Sequence, residues 1–93
     1  MDTKTRAKLR SLSAKDPCVA QIGKEGMNDN VLQGIEGVLN TRELIKVNVL
    51  KNSDLDTREV AEYVANALKA EVVSVMGNKF VIYRKSKKNI YEL

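Results

Sequence analysis

Residues 43–50 read ELIKVNVL, and apolar and polar side chains alternate along this stretch. Successive side chains of a β-strand point to opposite faces of the sheet. Ile45, Val47 and Val49 would therefore share one face, and Lys46 would lie on the other. The stretch predicts a strand with one face buried against a hydrophobic core.

Helical patterns flank this strand on both sides. In the preceding segment Asn28 is a suitable N-cap. The apolar residues that follow have helical spacing, namely Val31, Leu32, Ile35, Val38 and Leu39. Gly34 and Gly37 lie inside this helix, where their small size suggests close packing on a sheet. In the following segment Asp56 is the expected cap, and the predicted apolar face consists of Val60, Ala61, Val64, Ala65, Ala67 and Leu68.

Further elements are predicted towards both ends of the chain. Residues 3–14 indicate a short basic helix with a thin apolar stripe of Leu9 and Leu12. This helix ends before Pro17, because the residue before a proline is biased away from helical geometry. Residues 18–22 form a short apolar run that suits a buried strand. Two β-rich runs, EVVSVM and KFVIYR, surround a Gly-Asn turn and predict a hairpin.

The predicted order of elements is α-β-α-β-α-β-β, which places the chain in the α/β class. Strands that alternate with helices imply βαβ units, closed here by one antiparallel hairpin. We expect a four-stranded mixed sheet packed with helices. The 93 residues fit one compact domain, residues 1–93, with a core of about 5–85 and a basic tail over residues 86–93.

Composition excludes several classes of protein. The apolar runs are much shorter than the ~20 residues of a transmembrane span, and no signal peptide is evident, so we expect a soluble cytoplasmic protein without membrane contact. The single cysteine, Cys18, cannot form an internal disulfide and is interpreted as a small buried hydrophobe. The absence of histidine weighs against a histidine general base and against Cys/His zinc sites.

Positive charge is concentrated at the two ends of the chain. Residues 1–15 carry five basic side chains and one carboxylate, and residues 84–93 carry four basic side chains and one carboxylate. Residues 16–83 carry seven basic and ten acidic side chains, so the body is mildly acidic. This asymmetry favours a polyanionic partner such as nucleic acid. Lysines that merely solubilise frayed ends are the alternative explanation.

A glycine-bracketed loop, Gly23-Lys24-Glu25-Gly26, joins a predicted strand to a helix N-terminus. Such a position favours anions, because backbone amides and the helix dipole point at the ligand. KH domains clamp a nucleic-acid backbone with a loop of this kind. A tight turn that needs two glycines is the competing explanation, and Glu25 argues against a phosphate. Neither a P-loop nor a dinucleotide-binding fingerprint is present.

Residues 16–50 and 70–84 resemble the CRM (chloroplast RNA splicing and ribosome maturation) domain, in its stand-alone bacterial, YhbY-type form. The resemblance rests on the run Ile22-Gly23-Lys24 followed by Gly26, on ELIKV at residues 43–47, and on further single positions: Pro17, Ile35, Gly77, Tyr83 and Arg84. Met27 and Asn28 stand where the family commonly has an apolar residue followed by threonine, and asparagine still serves as a cap.

The resemblance implies a non-catalytic RNA-binding protein, because bacterial members associate with precursors of the large ribosomal subunit. The family fold is similar to the C-terminal domain of the third translation initiation factor. By carry-over, the loop at residues 23–26 would contact the RNA backbone. We hypothesise that it forms one basic surface with charged residues from elsewhere in the chain: Lys8, Arg10, Lys46, Arg84, Lys85, Lys87 and Lys88.

The sequence is also compatible with functions other than RNA binding. A protein-interaction module that docks an acidic protein is the main alternative to RNA binding. An enzyme is a weaker third, because no cluster of carboxylates for a metal is evident, and no cofactor or small-molecule substrate is expected. Tyr83 and Tyr91 are candidates for base stacking, although Tyr83 on a strand more often packs half-buried. The sequence does not determine the oligomeric state, and a monomer is favoured.

Overall fold

A computed structural model describes residues 2–23, 28–50 and 56–85 of the chain. The elements, in chain order, are α1 (Thr3–Ser13), β1 (Ala20–Ile22), α2 (Asp29–Arg42), β2 (Leu44–Val49), α3 (Thr57–Leu68), β3 (Glu71–Met76) and β4 (Lys79–Tyr83). The predicted order α-β-α-β-α-β-β is confirmed. The hairpin is also confirmed, and Gly77 in its turn has a φ of 61°, which glycine adopts without strain.

The four strands form one mixed sheet in the order β1-β2-β4-β3. β1 runs parallel to β2, whereas β4 is antiparallel to both of its neighbours. β2 and β4 are therefore the central strands. Val47 marks the centre, since it pairs with Ala20 on one side and with Phe80 on the other.

The first face of the sheet carries the main core. Ile45, Val47 and Val49 of β2 all lie on this face, as their alternation predicted, and they pack with Phe80 and Ile82 of β4. α2 and α3 cover this face with their own buried residues, which are Ile35, Leu39, Val60, Ala61, Val64, Ala65 and Leu68. Burial of apolar area at ~25 cal/mol per Å² makes this layer the main source of stability.

Among the described elements, α1 covers the second face of the sheet. Leu9 is completely buried and packs with residues of β2, β3 and β4 in a separate small cluster, namely Leu44, Val73, Val81 and Tyr83. A β-bulge between Val72 and Ser74 allows Val73 to join this cluster while Ser74 stays on the same side of the sheet. Beside the C-terminal end of α1, the described residues leave part of this face uncovered.

The helices begin at well-formed caps. The predicted caps Asn28 and Asp56 are confirmed, because their side chains accept backbone N–H groups of Val31 and Arg58, each at 2.9 Å. Asp2 caps α1 by accepting the Thr5 N–H at 2.7 Å. This backbone hydrogen bond lowers the pKa of the Asp2 carboxyl, so the cap is present above the unfolded-state pKa and is lost as pH falls through the lowered value.

Two strand boundaries differ from their predictions. Regular pairing of β1 starts at Ala20 opposite Val47, so Cys18 precedes the strand and is half-buried rather than buried. Glu43 does not begin β2. It ends α2 with a φ of 65°, and its N–H donates to the Leu39 carbonyl at 2.8 Å.

Four residues that were predicted to pack inward face solvent instead. Leu12 is 45% exposed, because α1 touches the sheet only along the line of Leu9 and Ser13. Ala67 lies on the outer side of α3, between the buried positions on either side of it. Gly34 and Gly37 are exposed, and a Cβ built on either would meet no atom within 4 Å. The two glycines therefore do not serve close packing on the sheet.

This exposure gives a prediction about stability. Gly34→Ala and Gly37→Ala should each raise the free energy of unfolding by up to ~1 kcal/mol, because alanine is the better helix former and has room at both positions. Urea denaturation monitored by circular dichroism measures the change. A loss of stability in either variant would contradict the open surroundings of these positions.

Candidate nucleic-acid interface

A cleft of about 180 Å³ lies on the second face of the sheet, beyond the end of α1. We call it the open-face cleft. Its lining combines the C-terminal part of α1 with three strands, and consists of Arg10, Ser13, Ala14, Lys46, Ser74, Met76, Lys79 and Val81.

Strand register explains why residues distant in sequence meet here. Val81 of β4 lies opposite Lys46 of β2 on one side and opposite Ser74 of β3 on the other. Two residues earlier on the same face of β4, Lys79 pairs with Met76. The central strand β4 therefore supplies the floor, and its two neighbours supply the walls.

The charge of the cleft has one sign. Arg10, Lys46 and Lys79 line it, and no acidic residue is present among the described residues of the lining. The Lys46 Nζ donates to the Ala14 carbonyl at 3.4 Å, at the C-terminus of α1. The negative end of the helix dipole favours a cation at that point. An ammonium group has three donors, so Lys46 retains hydrogen-bonding capacity for an anion.

The structure brings two of the predicted site residues together and leaves two nearby ones outside. Arg10 and Lys46 both line the cleft. Lys8 is exposed but does not line the cleft. Because Leu9 faces the sheet, Lys8 and Arg10 on either side of it project to opposite flanks of α1. Lys85 is exposed beyond the end of β4 and is also not part of the lining.

The Arg84 side chain lies on the helix side of the sheet. Its guanidinium donates to the Leu68 carbonyl at 2.8 Å and to Glu36 Oε2 at 3.2 Å, and it also contacts the Asn40 amide oxygen. It therefore joins α2 to the end of α3. The predicted single basic surface does not include this guanidinium, because α2 and α3 hold it away from the open-face cleft.

The glycine loop is described only at its first residue. Gly23 follows β1, and a Cβ there would approach the Leu50 Cδ1 atom to 3.3 Å. Among the described glycines, only Gly77 has a positive φ, so the φ of Gly23 is not positive. Small size, rather than left-handed backbone, is thus the local reason for Gly23. The remaining loop residues and two tail lysines assigned to the site lie outside the described residues: Lys24, Glu25, Gly26, Lys87 and Lys88.

Sequence reasoning missed Lys79, Ser74 and Met76. The Gly-Asn turn was recognised, and it places Lys79 beside Met76. The sequence did not reveal that β4 lies between β3 and β2. Only that order brings Lys79 and Lys46 to the same face. Tyr83 is 6% exposed beneath α1, so it packs in the small cluster and presents no open ring for stacking.

Residues 2–23, 28–50 and 56–85 lack the features of two other classes of site. This part of the chain contains no group of three or more His, Cys, Asp or Glu residues that could hold a metal ion. Within the same ranges, no helix has the length and apolar character needed to cross a membrane.

The chain is similar to a known protein family and to several known proteins. Residues 1–84 match the profile of the CRS1 / YhbY (CRM) domain. The probable RNA-binding protein YqeI of Bacillus subtilis is 41% identical over 81 residues, which cover 87% of this chain and 84% of YqeI. An RNA-binding protein of Haemophilus influenzae is 33% identical over 87 residues, which cover 92% of this chain and 87% of that protein.

A solved structure is similar as well. The chain is similar to the solution structure of the hypothetical protein SAV1595 from Staphylococcus aureus, with a TM-score of 0.85 and 43% identity. The alignment covers 98% of this chain and 95% of SAV1595. The likeness extends over all seven elements. The mixed α/β architecture is therefore shared with a relative of known structure.

The position of Arg84 predicts a structural role for it. Arg84→Ala should lower the free energy of unfolding by roughly 1–3 kcal/mol, because it removes charged hydrogen bonds to Leu68 and Glu36. Arg42→Ala is the matched control, since Arg42 is exposed, and it should change stability by about 0.5 kcal/mol or less. Urea denaturation measures both. Equal stability of the two variants would mean that the Arg84 contacts do not hold α2 and α3 together.

Proposed function

The chain belongs to the CRS1/YhbY (CRM) domain family, and from that membership we propose that it binds RNA without catalysing a reaction. Two relatives of similar length are named RNA-binding proteins. The target that we propose is ribosomal RNA in precursors of the large ribosomal subunit, as the resemblance to bacterial family members implies. The place of action would then be the cytoplasm, where bacterial subunits assemble.

The open-face cleft is the observation that carries the proposal. Three cations converge there from α1, β2 and β4, and the described lining contains no carboxylate to repel a phosphate. Phosphate contacts supply most of the affinity in non-specific nucleic-acid binding, because each one releases condensed counterions. The arrangement suits recognition of the RNA backbone, with modest dependence on sequence.

Gly23, the first residue of the glycine loop, lies at the same end of the sheet as Lys79 of this cleft. Asn48 of β2 pairs with Gln21, just before Gly23, and also with Lys79 at the rim of the cleft. The loop leads into α2, where Asn28 caps the helix N-terminus. We propose that one RNA strand contacts both the glycine loop and the cleft.

The main alternative is an acidic protein partner, because a cationic cleft also attracts carboxylates. RNA is favoured by the family relationship. Catalysis has little support from the sequence, since the chain contains no histidine to act as a general base at neutral pH.

The phosphate contacts give a quantitative prediction. Affinity for single-stranded RNA should fall with salt, and the slope of log K against log salt should become shallower by about 0.7 for each contact removed. Lys46→Gln and Lys79→Gln should each produce this change, and their combination should produce both. Fluorescence polarisation with a labelled oligoribonucleotide over a salt series measures the slopes.

Arg42→Gln is the control for these variants, because Arg42 ends α2 on the other face of the sheet. It removes the same charge and should leave the slope unchanged. If all three single variants reduced the slope equally, binding would follow net charge alone, and the cleft would not be the binding site.

Assembly of the large subunit requires a separate test. Tagged protein in cell extract should sediment through a sucrose gradient with large-subunit or precursor particles at low salt, and it should leave them at high salt. The Lys46→Gln/Lys79→Gln variant should stay near the top of the gradient. Wild-type protein that remained at the top at low salt would rule out stable association with these particles and point to another RNA or an acidic protein.

A further inference from the structure

The open-face cleft has an apolar floor between its cations. We propose, resting on the RNA binding argued above, that it holds one unpaired RNA base, with the adjoining phosphates on Arg10, Lys46 and Lys79. The protein would then prefer single-stranded or bulged RNA to a continuous duplex.

The floor and rim suit the face of a base. Val81 is 4% exposed and forms the floor, and Ala14 closes the side next to α1. Met76 is 75% exposed at the rim, an unusual position for a large apolar side chain on a strand. The polarisable thioether of methionine makes favourable contacts with aromatic rings. A base lying on Val81 would be contacted by Met76 from the rim.

The volume of the cleft limits the occupant. An apolar protein cavity of ~150 Å³ accepts one benzene molecule, whereas pockets for drug-sized ligands start at ~300 Å³. At about 180 Å³, the cleft has room for one heterocyclic ring. The sugar and phosphates would then lie at the level of the flexible cationic side chains.

One hydroxyl group in the lining is placed to give the base edge a polar contact. Ser13 is 2% exposed and its Oγ donates to the Arg10 carbonyl at 3.0 Å, so this contact falls to Ser74. Ser74 lines the opposite wall, on β3, and is half-buried. Ring amino and carbonyl groups of a base require such partners when they leave water.

A continuous duplex would not fill this cleft. Bases within A-form RNA are stacked and paired, and their edges are reached only across the grooves. Extrusion of a base from a duplex requires it to be unstacked and unpaired first. The three cations would still contact duplex phosphates, so duplex binding is expected to be weaker rather than absent.

Fluorescence polarisation at one fixed salt concentration tests the proposal with a labelled oligouridylate, alone or annealed to oligoadenylate. The wild-type protein should bind the single strand about tenfold more tightly than the duplex, because a base in the cleft buries apolar surface and contacts the Met76 thioether. Ser74→Phe fills the cleft and keeps all three cations. It should abolish most of this preference, and in a separate salt series it should leave the slope of log K against log salt unchanged.

Matched variants separate this effect from general disturbance. Ser11→Phe makes the same substitution at an exposed position of α1 outside the cleft, and it should bind as wild type does. Met76→Ala removes only an exposed rim side chain, so it should fold normally. It should weaken single-strand binding several-fold with no change for the duplex. If Ser74→Phe fails to fold, Met76→Ala still tests whether the cleft binds a base.

The outcomes distinguish the two levels of the proposal. Equal affinity for both RNAs, with no effect of Ser74→Phe or Met76→Ala, would overturn the base-binding cleft and leave RNA binding intact. Absence of binding to either RNA at low salt would overturn the proposed function, and the base-binding cleft with it.

Discussion

Burial of Leu9 against the second face of the sheet is the contact on which the functional surface depends. Leu9 is completely buried among Leu44, Val73, Val81 and Tyr83. Leu9 is the buried apolar residue of this mostly exposed, basic helix, and its burial fixes where α1 lies. Because α1 ends at Ser13, it covers one part of the face and leaves the rest open, with its own C-terminus as a wall of the cleft.

The same contact explains how the site can be cationic. Like charges on α1 are compatible with its docking, because Leu9 supplies apolar burial. Arg10 projects over the open part of the face, while Lys46 reaches the Ala14 carbonyl at the helix end. On the other face of the sheet, the Arg84 cation has a structural role, because it is held between α2 and α3. Of the residues that match the family pattern, Arg84 thus stabilises the fold and Lys46 lines the cleft.

Local patterns in the sequence predicted the elements well. The alternation of Ile45, Val47 and Val49 identified the central strand, and Asn28 and Asp56 were recognised as caps, because both signals depend on neighbouring residues alone. Strand order could not be read in the same way. The position of β4 between β2 and β3 is set by burial of Phe80 and Val81 on two opposite faces, so Lys79 was missed. A single leucine within a basic helix likewise gives no sign of where that helix docks.

The most direct test of the account is an NMR titration of the labelled protein with oligouridylate. We predict that the largest amide shift changes will fall on Lys46, Ser74 and Lys79 and at the C-terminal end of α1, where the cleft lies. Residues of the opposite helical layer, such as Arg42 and Tyr63, should change little. Changes concentrated on α2 and α3, with the cleft residues unaffected, would contradict the account and move the RNA to the other face of the sheet.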